Sequence, residues 1–175
     1  MADPWEIPPF PDHGDATEAI THIARSRALD EWELLEVALG FLDSRMARAA
    51  GSRIRYGSGQ IFVKRLAIVE ENARRFFVRY PNQAKEGDFD VLLCHIRAYS
   101  QRRHDIAHGV VQPLGIRNIE GVEFGFLPAP YTIDKERSVG FPKYIYNSEL
   151  MNSFRDKFRE FWHRITALEH LLFLS

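Results

Sequence analysis

The sequence predicts a mainly α protein, a bundle of about four long helices with an irregular or short β-hairpin insertion before the last one. Three observations carry that reading. Four stretches place apolar residues at steps of three and four, the period of a helix that buries one face. Between residues 12 and 112 the only proline is Pro81, so nothing else interrupts the first three stripes. The chain has 175 residues, 45% hydrophobic and 27% charged, the size and composition of a single globular domain.

Residues 1–14, MADPWEIPPFPDHG, hold four prolines and read as an extended arm pinned by Trp5 and Phe10. Residues 15–175 read as one helical domain. Asp15 followed by Glu18 has the form of a capping box. The stripe Ala24, Ala28, Trp32, Leu35, Leu39, Leu42, Met46 then marks a long helix ending near Gly51. The Gly57-Ser-Gly59 stretch lacks the lysine and spacing of a phosphate-binding loop and reads as a flexible connection. A second stripe, Phe62, Leu66, Val69, Ala73, Phe76, Tyr80, stops at Pro81, with Lys64, Arg65, Arg74, Arg75 and Arg79 off it and facing water. Asp88 is the expected cap of a third helix, with the stripe Phe89, Leu92, Ile96, Tyr99, position 103, Ile106 and Gly109 as its C′ residue. Cys94 lies beside that stripe and reads as core filler. Residues 110–146 lose the helical period; VEFGFL (122–127) and KYIYN (143–147) read as short strands or ordered loop. Leu150, Phe154, Phe158, Phe161, Ile165, Leu168 and Leu172 form the last stripe, a core face or a dimer seam.

Several classes drop out. No apolar run reaches the roughly 18 residues of a membrane helix, so no membrane partner is expected. A single cysteine excludes an internal disulfide and a multi-cysteine zinc cage, and a reducing, cytoplasmic setting is the expectation. The net charge of −1 conceals an asymmetry. Residues 1–44 carry ten acids against two arginines, while 45–108 carry thirteen Lys or Arg against six acids. The plain explanation is an acidic helix packed beside a basic one; the sharper one is a basic face for a polyanion. Arginine outnumbers lysine 18 to 5, the preference of sites that grip phosphate or carboxylate with a planar fork.

One segment departs from plain helix packing: residues 99–109, YSQRRHDIAHG. Arg103 falls on the apolar stripe, where a guanidinium requires a carboxylate, a carbonyl or an interface. His104 and His108 sit one turn apart on nearly one face, with Asp105 between that face and the next. His108 occupies the last turn, and a helix C-terminus favours an imidazolium. The structural explanation is a buried Arg–Asp pair with capping histidines. The chemical one is a site built from Arg103, His104, Asp105 and His108, with Arg97 and Arg102 as substrate-binding neighbours.

RRHDIAHG resembles the signature of the HEPN superfamily, an Arg followed by a polar residue with a His four to six positions beyond the Arg. Arg103, His104 and His108 occupy those positions. The resemblance is close over the third helix and holds in outline for residues 15–175; the stretch 110–146 is larger than in a minimal member. It implies a HEPN-like bundle of four or five helices. It further implies a homodimer whose two motifs face one cleft, and RNA cleavage without metal or other cofactor. In that chemistry a 2′-hydroxyl attacks the adjacent phosphate. Arg103 stabilises charge, His108 handles a proton, and His104 or Asp105 orients them. A toxin or defence role, with an antitoxin or a neighbouring protein as partner, belongs to the same reading. Many members have non-cleaving roles, so a silent helical module binding nucleic acid, a nucleotide or a protein is the alternative. A third possibility is a metal-dependent hydrolase, because His104 and His108 have the i, i+4 spacing that binds one divalent ion. It needs a third ligand, for which His95 and His163 are the candidates.

Overall fold

The computed structural model describes residues 10–59, 61–118, 121–128 and 144–173. Trp5 and most of the N-terminal arm, Lys143 and the middle of the predicted insertion lie outside them. The described residues are mainly helical, with a two-stranded antiparallel sheet before the last helix, as the stripes predict. In chain order the elements are α1 (Glu18–Ala50), a 3₁₀ turn (Tyr56–Ser58), α2 (Phe62–Arg79), α3 (Gln83–His108), β1 (Val110–Asn118), β2 (Gly121–Leu127) and α4 (Ser148–Phe173). They fall into two compact units, each made from separate stretches. The first is Met1–Trp32 with Gln101–Phe158; the second is Glu33–Ser100 with Arg159–Ser175.

The stripes become the core. Every predicted stripe residue of α1 is buried, as are Phe154, Phe158, Phe161, Ile165 and Leu168 on α4. In the first unit Trp32 meets Phe158 edge to face at 4.9 Å, and in the second Tyr99 meets Phe161 likewise at 5.4 Å. Tyr80 departs from its stripe. The turn at Pro81 ends α2 at Arg79, and Tyr80 is left exposed. Cys94 is exposed as well, because Leu92, Leu93 and Ile96 already fill the buried side of α3.

The helix ends differ from expectation in instructive ways. Thr17, not Asp15, caps α1, its Oγ1 accepting from Ile20 N–H at 3.3 Å. The buried Asp15 carboxylate instead accepts from Thr21 Oγ1 at 2.7 Å and from the first backbone N–H of α4, Ser148, at 2.9 Å. A helix N-terminus inside the fold offers a carboxylate more than an exposed one does. Asn147 caps α4 beside it through Leu150 N–H at 2.9 Å. For α3, Asn82 supplies the cap at Lys85 N–H, so the helix starts a turn before Asp88 and runs through Gly87. Gly51 ends α1 with φ 71°: Ser52 N–H reaches Ala47 O and Gly51 N–H reaches Arg48 O, the paired bonds of a Schellman motif.

Gly109 has no left-handed φ; among the described residues only Gly51 does. Its N–H still bonds Asp105 O at 3.0 Å, and the chain passes directly into β1. A glycine stands there for space: a methyl group would run into the Leu127 carbonyl and the Phe126 ring. β1 and β2 pair from Val110↔Leu127 to Asn118↔Gly121, with an irregularity between Pro113 and Arg117. Asp15 adds a bridge to Phe124 and Tyr146 a bridge to Phe126. The Asp15 bridge, with Gly14 N–H donating to Glu123 and Asn147 donating to His13 O, ties residues 13–15 down, while Phe10 is exposed. The stretch 143–147, read as short strand or ordered loop, is over its described residues 144–147 a loop with one bridging residue, Tyr146.

The second unit holds a buried polar cluster. Arg65, expected to face water, pairs with buried Glu36. The connection around Gly57 is an ordered 3₁₀ turn: Asp43 accepts from Tyr56 N–H at 3.2 Å and from Asn72 Nδ2 at 2.8 Å. Burial nevertheless raises the Asp43 carboxyl above its ordinary value of 3.8, against the opposing pull of Asn72, the Tyr56 N–H and Arg55. The folded chain therefore holds this proton more tightly than the unfolded chain. Asp43 subtracts stability as pH climbs from its ordinary value through its raised one, and the deficit is constant above that. Asp43→Asn should accordingly gain on the wild type in urea midpoint as pH rises above about 4, the ordinary carboxylate value, until the raised one is passed. A difference that stays flat across that range contradicts the assignment.

Candidate functional site at the end of α3

The last turn of α3 is held by two sets of contacts that its sequence segment does not reveal. Asp105 is 0% exposed and sits at the centre of the first. Its Oδ2 accepts from Tyr146 OH at 2.7 Å, from Tyr144 OH at 3.3 Å and from Arg102 Nη1 at 3.3 Å, while Oδ1 accepts from Gln101 Nε2 at 2.8 Å. Arg102 also donates to Tyr144 OH at 2.9 Å and lies 5.1 Å over that ring, with its side chain only 15% exposed. Tyr144 stacks on Tyr146 at 5.5 Å and 2°, and Tyr146 on Phe126 at 6.2 Å and 11°. Burial foremost, then the Asp105 charge, pushes the Tyr146 phenol far above its ordinary value, so it remains a proton donor to the carboxylate.

Arg25 of α1 makes the second set. Its Nε bonds Ile106 O at 3.0 Å and its Nη2 bonds Ala107 O at 2.8 Å, with the guanidinium 5.6 Å over Phe126. A fork of donors thus meets two carbonyls that the helix end leaves unsatisfied, and a positive charge sits at the negative end of the helix dipole. The carbonyl end that the sequence offers to His108 is occupied by Arg25. Five planar groups, Arg25, Phe126, Tyr146, Tyr144 and Arg102, form a continuous run of ring and guanidinium contacts behind the motif.

The sequence-predicted residues divide accordingly. Asp105 faces inward and orients Arg102, so the buried Arg–Asp pair exists, one residue earlier than Arg103. His104 is half-buried and His108 exposed; their rings lie 4.7 Å apart, tilted by 51°. Arg103 is half-buried. Helical geometry separates the directions of Arg103 and His108 by about 140°. Arg97 belongs to the second unit, where it is bonded to Glu70 of α2. His95 and His163 belong to that unit too. Among the described residues no three His, Cys, Asp or Glu side chains group as a metal site requires. The residues missed from sequence are Arg25, Gln101, Tyr144 and Tyr146. A signal existed for two of them: Tyr144 and Tyr146 have the alternate spacing that places both rings on one side of an extended segment.

What this arrangement offers chemically is a pair of adjacent imidazoles at a helix end fixed from behind, with a guanidinium at the flank. Imidazoles move protons near neutral pH, and guanidinium forks bind phosphate oxygens. Compared with protein-family models, with curated proteins and with solved structures, the chain matches none. No helix among the described residues is long and apolar enough to cross a membrane.

Proposed function

We propose that the protein is a HEPN-like, metal-independent endoribonuclease whose reacting groups are Arg103 and His108, and that it works as a homodimer. The observation that carries this reading is the His104–His108 ring pair at 4.7 Å, on a helix end whose Asp105 is turned inward and locked. The proposed step balances without a cofactor. The 2′-oxygen attacks phosphorus as its proton passes to a base, the P–O5′ bond breaks, and O5′ leaves with a proton. The products are a 2′,3′-cyclic phosphate and a 5′-hydroxyl. His108 is the proton carrier, His104 its positioning neighbour, and Arg103 stabilises the charge on the phosphoryl oxygens.

A second copy answers the angular problem. One helix end spreads Arg103 and His108 around its circumference, whereas two ends facing each other across a seam supply both groups to one phosphodiester. The test is single-stranded RNA incubated with the protein in EDTA, with dimerisation read by light scattering at micromolar concentration. Cleavage that persists in EDTA and stops with a 2′-deoxy nucleotide at the scissile position supports the reading. Activity that vanishes in EDTA and returns with a divalent ion favours a metal at His104 and His108. Intact RNA from a well-folded protein favours the silent module, and a monomer removes the seam.

A further inference from the structure

The second unit contains a cavity with a chemistry of its own. It measures about 630 Å³, within the ~300–1,000 Å³ of small-ligand sites. The end of α2 supplies Phe76, Arg79 and Tyr80, the first turn of α3 supplies Lys85, and the last turn of α4 supplies Phe173. The Phe76 ring lies 5.1 Å from Tyr80 and 5.3 Å from Phe173, so three aromatic rings form one wall. The Arg79 guanidinium stands 5.7 Å over the Tyr80 ring. Lys85 Nζ bonds Leu171 O at 2.8 Å, which uses one of its three donors.

Two features mark this cavity as more than a surface fold. Among the described residues its lining has two cations, Arg79 and Lys85, and no acidic side chain. The neighbouring cavity between α2 and α3, about 330 Å³, is the reverse: Glu70, Glu86 and Asp90 balance its arginines, and Arg97 is already bonded to Glu70. The second feature is Tyr80, which is 46% exposed although the stripe of α2 leads up to it. An aromatic ring held open to solvent beside two cations suits a ligand that is planar at one end and anionic at the other.

We infer that this cavity binds a nucleotide unit, with the base against the Phe76–Tyr80–Phe173 wall and the phosphate on Arg79 and Lys85. A simple anion uses only the cations and an uncharged ring only the wall. A nucleotide uses both, through stacking, cation–π contact and charge-assisted hydrogen bonds. A free nucleotide and a stretch of single-stranded RNA present the same unit. The inference does not depend on the ribonuclease reading, because no residue of the α3 end takes part.

Calorimetric titration of the full chain with ADP, with a short 2′-O-methyl oligoadenylate, and with inorganic phosphate tests it. The oligomer has no free 2′-hydroxyl, so cleavage does not enter the measurement. The expected result is binding of a nucleotide probe that weakens at least about fivefold in Tyr80→Ser, the lower end for loss of one stacking partner. Arg79→Ala should weaken it likewise. Tighter binding of ADP identifies a free nucleotide as the ligand, and tighter binding of the oligomer identifies RNA. Both substituted side chains are exposed, so the variants should melt like the wild type by circular dichroism. The inference is overturned if neither nucleotide probe binds, if phosphate binds as tightly as ADP, or if both variants retain full affinity.

Discussion

Replacing Asp105 with alanine should cost about 3–5 kcal/mol of folding stability, the range for removing one partner of a buried ion pair. The size follows from what is left behind. Arg102 is 15% exposed and the Tyr146 hydroxyl is buried, so neither recovers its lost acceptor from bulk water. Asp105→Asn keeps the shape but presents an amide N–H₂ where donors converge, and should cost less, about 1–3 kcal/mol. Guanidinium denaturation of the three proteins measures both. The order wild type, Asn, Ala is the diagnostic. A loss below about 1 kcal/mol for Asp105→Ala would mean that the carboxylate does not hold this helix end.

The same cluster shows where the sequence is readable and where it is not. Every stripe that repeats at helical spacing is recovered as a helix, because a buried face imposes its period directly on the residues that form it. Gly51 is readable as a helix stop for the same local reason. Failures occur where distant segments compete for a group. Asp15 has the spacing of an α1 cap, yet the backbone of Ser148, 133 residues away, takes its carboxylate. Gly109 has the position of a left-handed C′ residue, yet its small size serves the close approach of Phe126.

The candidate site divides along the same line. The residues proposed to carry its chemistry, Arg103, His104 and His108, lie within six positions of one helix and are visible as a motif. The residues that fix it are not: Arg25 precedes Ile106 by 81 positions, and Tyr146 follows Asp105 by 41. Arg103 stood out because an arginine on an apolar stripe demands a partner. Arg102, read from the sequence as a substrate-binding neighbour, is the arginine that pairs with Asp105. Helical spacing places a residue on a face and leaves open which of two adjacent arginines turns toward a carboxylate brought from outside the helix.

On the proposed ribonuclease reading, His108→Ala should lower RNA cleavage by roughly 10²-fold or more, the scale for removing a general acid or base. It should leave the fold intact, since the ring is exposed and Arg25 meets the last-turn carbonyls. Arg103→Lys should fail comparably: an ammonium preserves the charge but loses the planar fork that spans two phosphoryl oxygens. Asp105→Asn then separates holding from reacting. If Asp105 only fixes the helix end, its activity should recover as temperature falls and the fold tightens, whereas His108→Ala stays inactive at every temperature. Single-turnover cleavage of a defined RNA in EDTA, with unfolding curves for each variant, reads all of these. Full activity in His108→Ala would remove the imidazole from the mechanism. Full activity in Arg103→Lys would reduce Arg103 to a point charge beside the phosphate, which a basic surface anywhere on the protein supplies equally well.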